Sequence, residues 1–344
     1  MGFISLDNIK AREEALPEAK SGHVRSKEVG VVDSGNKKYL YQAFGLKIWS
    51  EIPLPELTEV KITSIGEVDV YIEFAKLEHI AEEWNIAGHN FQYRDEALLF
   101  EIPDLALFEV SYGRQITISP KYGVNMARIR LYLLGTCMGA ILMQRRTLPL
   151  HGSAVMIGQS AYAFLGDSGA GKSTLSAALA NQGYPLLSDD VVAVHYTKGS
   201  AEPIVSPAYP QQKLNAYSMD MLQMESAGYE VIMDEFKYAV PRRDQFYVDD
   251  VPLAGVFELL PTPENNITVE PIYALSGIHL LQAHTYRLAL IKRMSMLQWH
   301  FSSVTQLAGV IPMNRISRPL DGRTVHNVVD TVLQTVNKGV SQSI

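Results

Sequence analysis

One stretch constrains the fold of this chain more than any other: Gly166-Asp167-Ser168-Gly169-Ala170-Gly171-Lys172-Ser173-Thr174, a complete G-x-x-x-x-G-K-S pattern. Its flanks decide how it must be built. Ala161 to Leu165 before it is a short apolar run that reads as a buried strand. Leu175 to Ala180 after it is Ala-rich with Leu at i and i+4, the pattern of a helix, and Gly183 supplies a C′ stop. A strand that turns through glycines into a helix gathers backbone N–H groups at the helix start, where the peptide dipoles add about half a positive charge. Phosphate oxygens fit such a nest. Lys172 is long enough to reach the outer phosphates, and the Ser173 hydroxyl can ligate Mg²⁺. Glycine-rich strand–helix turns also occur without ligands, but the Lys-Ser pair and both flanks favour the phosphate reading.

The rest of the composition narrows the partners. The chain has 344 residues, 47% hydrophobic and 19% charged, enough for two domains or one large one. A net charge of −7 without any long Lys/Arg run argues against nucleic acid or an anionic membrane as the principal partner. Cys137 is the single cysteine, which excludes disulfides within the chain and thiolate metal sites and suits a reducing cytoplasm. The first residues carry no apolar core after a basic start, so no signal peptide is expected. Leu6 stands where an acylation site would want Ser or Thr.

Three regions follow from the pattern. Residues 1–36 are polar and read as an exposed arm or a weakly anchored helix. Residues 37–124 hold short alternating runs (Lys61-Ile-Thr, Val68 to Ile72, Ala97 to Ile102, Leu107 to Val110, Gln115 to Ile118) between Pro, Gly and Asp turns, a β-rich domain built from hairpins. No catalytic constellation lies in it, which leaves contact in a homo-oligomer or recognition of a partner. Residues 125–344 form the α/β part. It opens with an apolar helix from Val124 to Arg146, whose uncharged run of 13 residues falls short of the roughly 20 that span a membrane. A buried core helix is expected, with Gly135 and Gly139 as a flat strip for close packing.

Other groups join the loop. His151 opens a Gly-Ser-Ala-Val strand that pairs naturally with the loop strand as a hairpin, which would bring its imidazole near Asp189. Asp189-Asp190 follow an apolar run after the loop helix and are read as the end of a strand. One carboxylate can hold Mg²⁺ while the other accepts a proton from an attacking hydroxyl; alternatively the pair caps a helix or meets water. Lys237, Arg242 and Arg243 form a basic group. These guanidinium groups can neutralise a transferring phosphoryl group or clamp an acidic substrate, or else are solvated at the surface. The remaining histidines lack metal-ligand spacing.

In order and spacing, Leu150-His-Gly-Ser, the loop, and Gly183-Tyr-Pro-Leu-Leu-Ser-Asp-Asp190 resemble the catalytic domain of HPr kinase/phosphorylase; His151 stands fifteen residues before Gly166, and Asp189 seventeen after Lys172. The resemblance covers residues 150–195, with a weaker echo to about 260. It implies an α/β P-loop kinase core of the HPr kinase/PEP carboxykinase type, preceded by a β-rich domain and followed by C-terminal helices. It also implies an enzyme that uses ATP and Mg²⁺ to phosphorylate a serine of a peptide or small protein. Carried over, His151 and Asp189 would deprotonate the acceptor hydroxyl, Ser173 and Asp190 would attend the metal, and Lys172 with the amides of 168–174 would hold the phosphates. The family's Arg-Gly-x-Gly signature is missing, and 39–118 is unlike its N-terminal domain. Tyr209-Pro-Gln-Gln-Lys-Leu214, Thr285-Tyr-Arg287 and Ser317-Arg-Pro-Leu320 look more like stand-alone relatives that phosphorylate the C-terminal serine of lasso-peptide and other ribosomally made precursors. A genuine HPr kinase/phosphorylase and a nucleotide-sensing module without phosphotransfer are the alternatives.

Overall fold

Sequence periodicity reappears as two large sheets. The computed structural model describes residues 38–60, 68–86, 91–225, 228–232, 237–320 and 324–342. The expected polar arm and the run at Lys61 lie outside the described residues. Eight strands, β1 (Tyr39–Ala43), β2 (Leu46–Ser50), β3 (Thr58–Glu59), β4 (Val70–Phe74), β5 (Phe91–Arg94), β6 (Ala97–Ile102), β7 (Ala106–Ser111) and β8 (Gln115–Pro120), make one sheet in the order β3-β1-β2-β4-β8-β7-β6-β5. Neighbours from β5 to β8 are antiparallel, as the hairpin pattern requires, whereas β2–β4 and β4–β8 pair in parallel.

The second sheet holds the glycine loop. Its strands are β9 (Leu148–Ile157), β10 (Ser160–Leu165), β11 (Leu186–Tyr196), β12 (Pro203–Ser206), β16 (Val251–Thr262), β17 (Thr268–Ile272) and β18 (Met313–Pro319), in the order β10-β9-β11-β12-β16-β18-β17. An additional β10–β16 pairing closes β10, β9, β11, β12 and β16 into a ring. Between β12 and β16 a small sheet branches off, β13 (Gln211–Asn215), β14 (Glu230–Ile232) and β15 (Lys237–Pro241), ordered β13-β15-β14.

Helices cover both faces of the second sheet. The loop helix (Lys172–Asn181) and the C-terminal helix (Val325–Gln342) pack in one cluster with Phe164, Leu259 and Ile316. Helices at Ala274–Ala283 and Leu297–Val310 pack on the opposite face with Leu165, Val256 and Met313. Gly183, at φ 91, ends the loop helix where the sequence places its stop.

The apolar helix is two α-segments, Met126–Tyr132 and Met138–Gln144, joined by a π-helical turn over Leu133–Cys137. By length and composition Met126–Gln144 could cross a membrane, but 67% of it is buried inside the structure. It shares a core with β1, β2 and β6 to β8 on one side and with Val191, Tyr209 and Tyr286 on the other. Residues from Lys38 onward therefore form one compact unit. The glycine strip has a concrete occupant: a Cβ on Gly135 would stand 2.8 Å from the Tyr286 hydroxyl, and one on Gly139 3.0 Å from its ring.

Candidate active site

β9 and β10 form the expected hairpin, with Gly152 opposite Leu165 and Ser153 opposite Phe164. Glycine is required at 152 because a Cβ there would sit 2.5 Å from the Phe164 carbonyl oxygen. Beyond Leu165 the chain leaves the sheet as the loop 166–171 and enters the loop helix. Gly171, at φ 101, is the last residue before that helix. The Ser153 hydroxyl donates to the Lys172 carbonyl at 3.0 Å and ties β9 to the helix start. Lys172 is buried and lies across the loop, its Nζ donating to the carbonyls of Gly166 (2.7 Å) and Asp167 (3.0 Å). Burial lowers its pKa, opposed by Asp189, Asp190 and Asp167.

Where β10 turns away, another segment takes its place along β9. The His151 N–H donates to the His284 carbonyl at 2.7 Å, the Tyr286 N–H to the Pro149 carbonyl at 2.9 Å, and Leu150 bridges Thr285. Residues 284–286 thus continue the sheet edge beside the loop. They help wall a cavity of about 440 Å³ that His151, Asp190, Lys213 and Arg287 also line.

Asp189 and Asp190 lie inside β11, not at its end; they face Ser153 and Gly152 of β9 just after a register shift between Leu186 and Ser188. A period of two would send their side chains to opposite faces. Instead Asp190 sits at φ 86, a conformation that costs a non-glycine residue of order 1–3 kcal/mol and collects at functional sites. The Ser188 hydroxyl donates to the Val191 carbonyl across this kink. Both carboxylates then meet one residue of β13: the Lys213 backbone N–H donates to Asp189 Oδ2 at 2.9 Å, and its Nζ to Asp190 Oδ2 at 2.8 Å.

His151 and the two acids are arranged differently from the sequence expectation. The His151 imidazole faces Asp190 rather than Asp189, with Nδ1 3.3 Å from Asp190 Oδ1 and 3.1 Å from its carbonyl oxygen. Both neighbours are acceptors, so Nδ1 carries the proton. In the neutral ring Nε2 is then the acceptor. Burial works to raise the Asp190 pKa, but Lys213 and His151 overcome it and hold the carboxyl below the usual range. Ser173 is beside Asp189, near enough to favour its ionised form without a hydrogen bond to Oδ1, which is buried and has no partner. Burial raises the pKa of Asp189 overall.

Two expected site residues are elsewhere. Arg242 is buried along the flank of the loop helix, with Nε donating to Gln212 Oε1 (2.7 Å) and Nη1 to Asn181 Oδ1 (2.9 Å) and Gln245 Oε1 (2.8 Å). These bonds occupy its guanidinium with structural partners rather than turning it toward the loop. A relay links it to the loop, Gln212 Nε2 to the Ser176 hydroxyl and that hydroxyl to the Ser173 carbonyl. Arg243 donates to the Pro55 carbonyl of the N-terminal region. Motif reading did not single out Lys213, His284 or Arg318 as site residues, although the three resembling segments contain or adjoin them.

The sequence matches no known protein family and no curated protein. Among solved structures it is similar to the Hpr(Ser) kinase/phosphatase from Coxiella burnetii, at 17% identity and a TM-score of 0.30, over 57% of this chain and 97% of that one. So low a score transfers neither fold nor function; the loop and carboxylate geometry stands on its own.

Proposed function

We propose that the protein is an ATP- and Mg²⁺-dependent serine kinase acting on a peptide or small protein. One observation carries the reading: a phosphate-binding loop opens beside a His151–Asp190 pair that lines a cavity large enough for an acceptor side chain. A sensing module that only held a nucleotide would have no use for an imidazole fixed in one tautomer at the loop's edge.

The residues suit Mg²⁺ brought in with the nucleotide. Asp189 has a buried, unpartnered Oδ1 beside the Ser173 hydroxyl, the donor pair that such an ion takes from a phosphate loop. Among the described residues there is no cluster of three or more His, Cys, Asp or Glu that could hold a metal; an ion arriving with a nucleotide would take further ligands from its phosphates. When bound, Mg²⁺ would neutralise charge on the outer phosphates. The chain's own contribution is positioning. Loop amides and Lys172 hold the triphosphate, exchanging Lys172's two carbonyl contacts for phosphate oxygens. Asp190 orients His151 so that Nε2 takes the proton of the attacking hydroxyl, and Lys213 keeps Asp190 ionised. In this reading Asp189 and Asp190 exchange the roles that the family resemblance implies.

For the acceptor we propose the C-terminal serine of a ribosomally made, lasso-type precursor in a cytoplasmic setting. Support comes from the three segments like those of stand-alone kinases. They lie far apart in the chain, yet they bring Lys213 to Asp190, Tyr286 to within 5.9 Å of the His151 ring centre, and Arg318 to the loop. Incubation with Mg·ATP and peptides ending in serine, blocked by C-terminal extension in a second set, tests this by mass spectrometry. Phosphoserine confined to the terminal position is expected. Nucleotide binding with no phosphoserine on any peptide or on HPr would leave only the sensing module.

A further inference from the structure

Ser317-Arg-Pro-Leu320 has no part in the chemistry above, yet its Arg318 donates directly to a carbonyl of the loop. It lies two positions after Ile316 at the end of β18, so both side chains face the loop helix, Ile316 in the core beneath it and Arg318 half-buried at its start. Its guanidinium makes three contacts: Nε donates to the Ala170 carbonyl at 2.9 Å, Nη1 donates to the Pro319 carbonyl at 2.8 Å, and Nη2 lies 3.5 Å from the Gly169 carbonyl. Gly171 makes room for this approach, because a Cβ there would stand 3.2 Å from Nη2.

A peptide unit is planar and trans, so its N–H points opposite to its C=O. Fixing the Ala170 carbonyl therefore fixes the direction of the Gly171 N–H. That amide is the last before the helix, where the nest and the helix dipole act together on an anion. Lys172 makes loop contacts of the opposite kind, since its bonds to the Gly166 and Asp167 carbonyls occupy the ammonium that a phosphate would need. Arg318 bonds the carbonyl side of the loop's peptides, opposite to their N–H groups, and remains charged at any working pH.

We propose that Arg318 is a positioning residue for phosphate binding, holding the Ala170–Gly171 peptide so that its N–H is aimed into the loop. The inference rests on the nucleotide reading of that loop but not on phosphotransfer. Calorimetric titration of ADP and of inorganic pyrophosphate into wild type, Arg318→Met and Arg318→Lys tests it, with melting temperatures measured alongside. Methionine keeps the stem and removes every donor; lysine returns one charged donor. Loss of a charge-assisted bond that presets the site should weaken both ligands about ten-fold or more in Arg318→Met, with Arg318→Lys in between. The KM for ATP should rise while kcat at saturating ATP stays within a few-fold. Wild-type affinity of Arg318→Met for pyrophosphate would overturn the inference and leave the nucleotide reading standing. Wild-type protein that binds neither ligand would overturn both. Should Arg318→Met fail to fold, Arg318→Lys decides: weaker pyrophosphate binding at unchanged melting temperature supports the role, and unchanged binding removes it.

Discussion

Replacing Asp190 with Asn separates the two acids most sharply. Asp190 has two carboxylate oxygens and two donors to satisfy, Lys213 Nζ at 2.8 Å and His151 Nδ1 at 3.3 Å. Asparagine offers one oxygen, and its amide would present N–H to whichever donor is left. Lys213, the closer and permanently charged partner, keeps the oxygen, so the amide faces Nδ1 and favours the tautomer with the proton on Nε2. The Asp190 carbonyl, 3.1 Å from Nδ1, still favours the productive tautomer. A general base is worth about 10²–10⁴ in rate, and the loss should fall near the lower end, roughly 10²-fold in kcat. Asn tolerates the positive φ of 86 at this position, so the backbone kink should survive. Folding exchanges an ion pair between groups that are 19% and 22% exposed for a bond from the ammonium to a neutral amide oxygen, about 1–2 kcal/mol. With roughly 0.6 kcal/mol/K of unfolding entropy for the described residues, the melting temperature should fall about 2–3 °C. Phosphotransfer and Mg·ADP affinity should be measured on the same preparation, with the affinity within about three-fold of wild type. Unchanged turnover would refute the His151–Asp190 pairing as the catalytic element. A collapse of Mg·ADP affinity would return Asp190 to the metal.

Two further substitutions test neighbouring claims. Asp189 is held above the usual carboxylate range by burial, so the folded protein binds its proton more tightly than the unfolded chain, and ionisation at neutral pH works against folding. Without nucleotide, Asp189→Asn should therefore melt higher than wild type at pH 7. The gain should fade as the pH falls through the raised folded value toward 3.8, the ordinary value, and be gone below it, where both states are protonated, and Mg-dependent nucleotide affinity should be lost; a pH-independent difference would show that ionisation is not the cause. Arg242→Met should leave the buried Gln212 short of a partner, while water replaces the bonds of the exposed Asn181 and half-buried Gln245, costing about 1–3 kcal/mol and about 2–5 °C in scanning fluorimetry. Turnover per folded molecule should drop far less than with Asp190→Asn, whereas a large fall in kcat without loss of stability would restore Arg242 to the chemistry.

How much of this was legible in the sequence depended on the range of the signal. The loop, its strand, its helix and the Gly183 stop are written in consecutive residues, and the β9–β10 hairpin is written in two adjacent runs. The N-terminal hairpins were legible for the same reason, but the parallel β2–β4 and β4–β8 pairings join distant strands and leave no local mark. The acids were misplaced because strand periodicity cannot announce a positive φ at Asp190 or the register shift that precedes it. Arg242 and Arg243 looked alike as neighbours in a polar loop. Only the fold shows that one is buried among three side-chain oxygens and the other reaches Pro55. Lys213 and Arg318 could be found only as unexplained letters in resembling segments, since Lys213 is 23 residues from Asp190 and Arg318 is 148 from Ala170.

A structure with Mg²⁺ and a non-hydrolysable ATP analogue would measure the decisive quantity, the separation between His151 Nε2 and the γ-phosphorus. A hydroxyl held about 3 Å from the base and about 3–3.5 Å from phosphorus puts the two within roughly 6 Å of each other, across the mouth of the His151 cavity. The account predicts that distance, with the γ-phosphate turned toward Asp190. An analogue seated in the loop with its terminal phosphate directed away from the cavity, well beyond that reach, would contradict it.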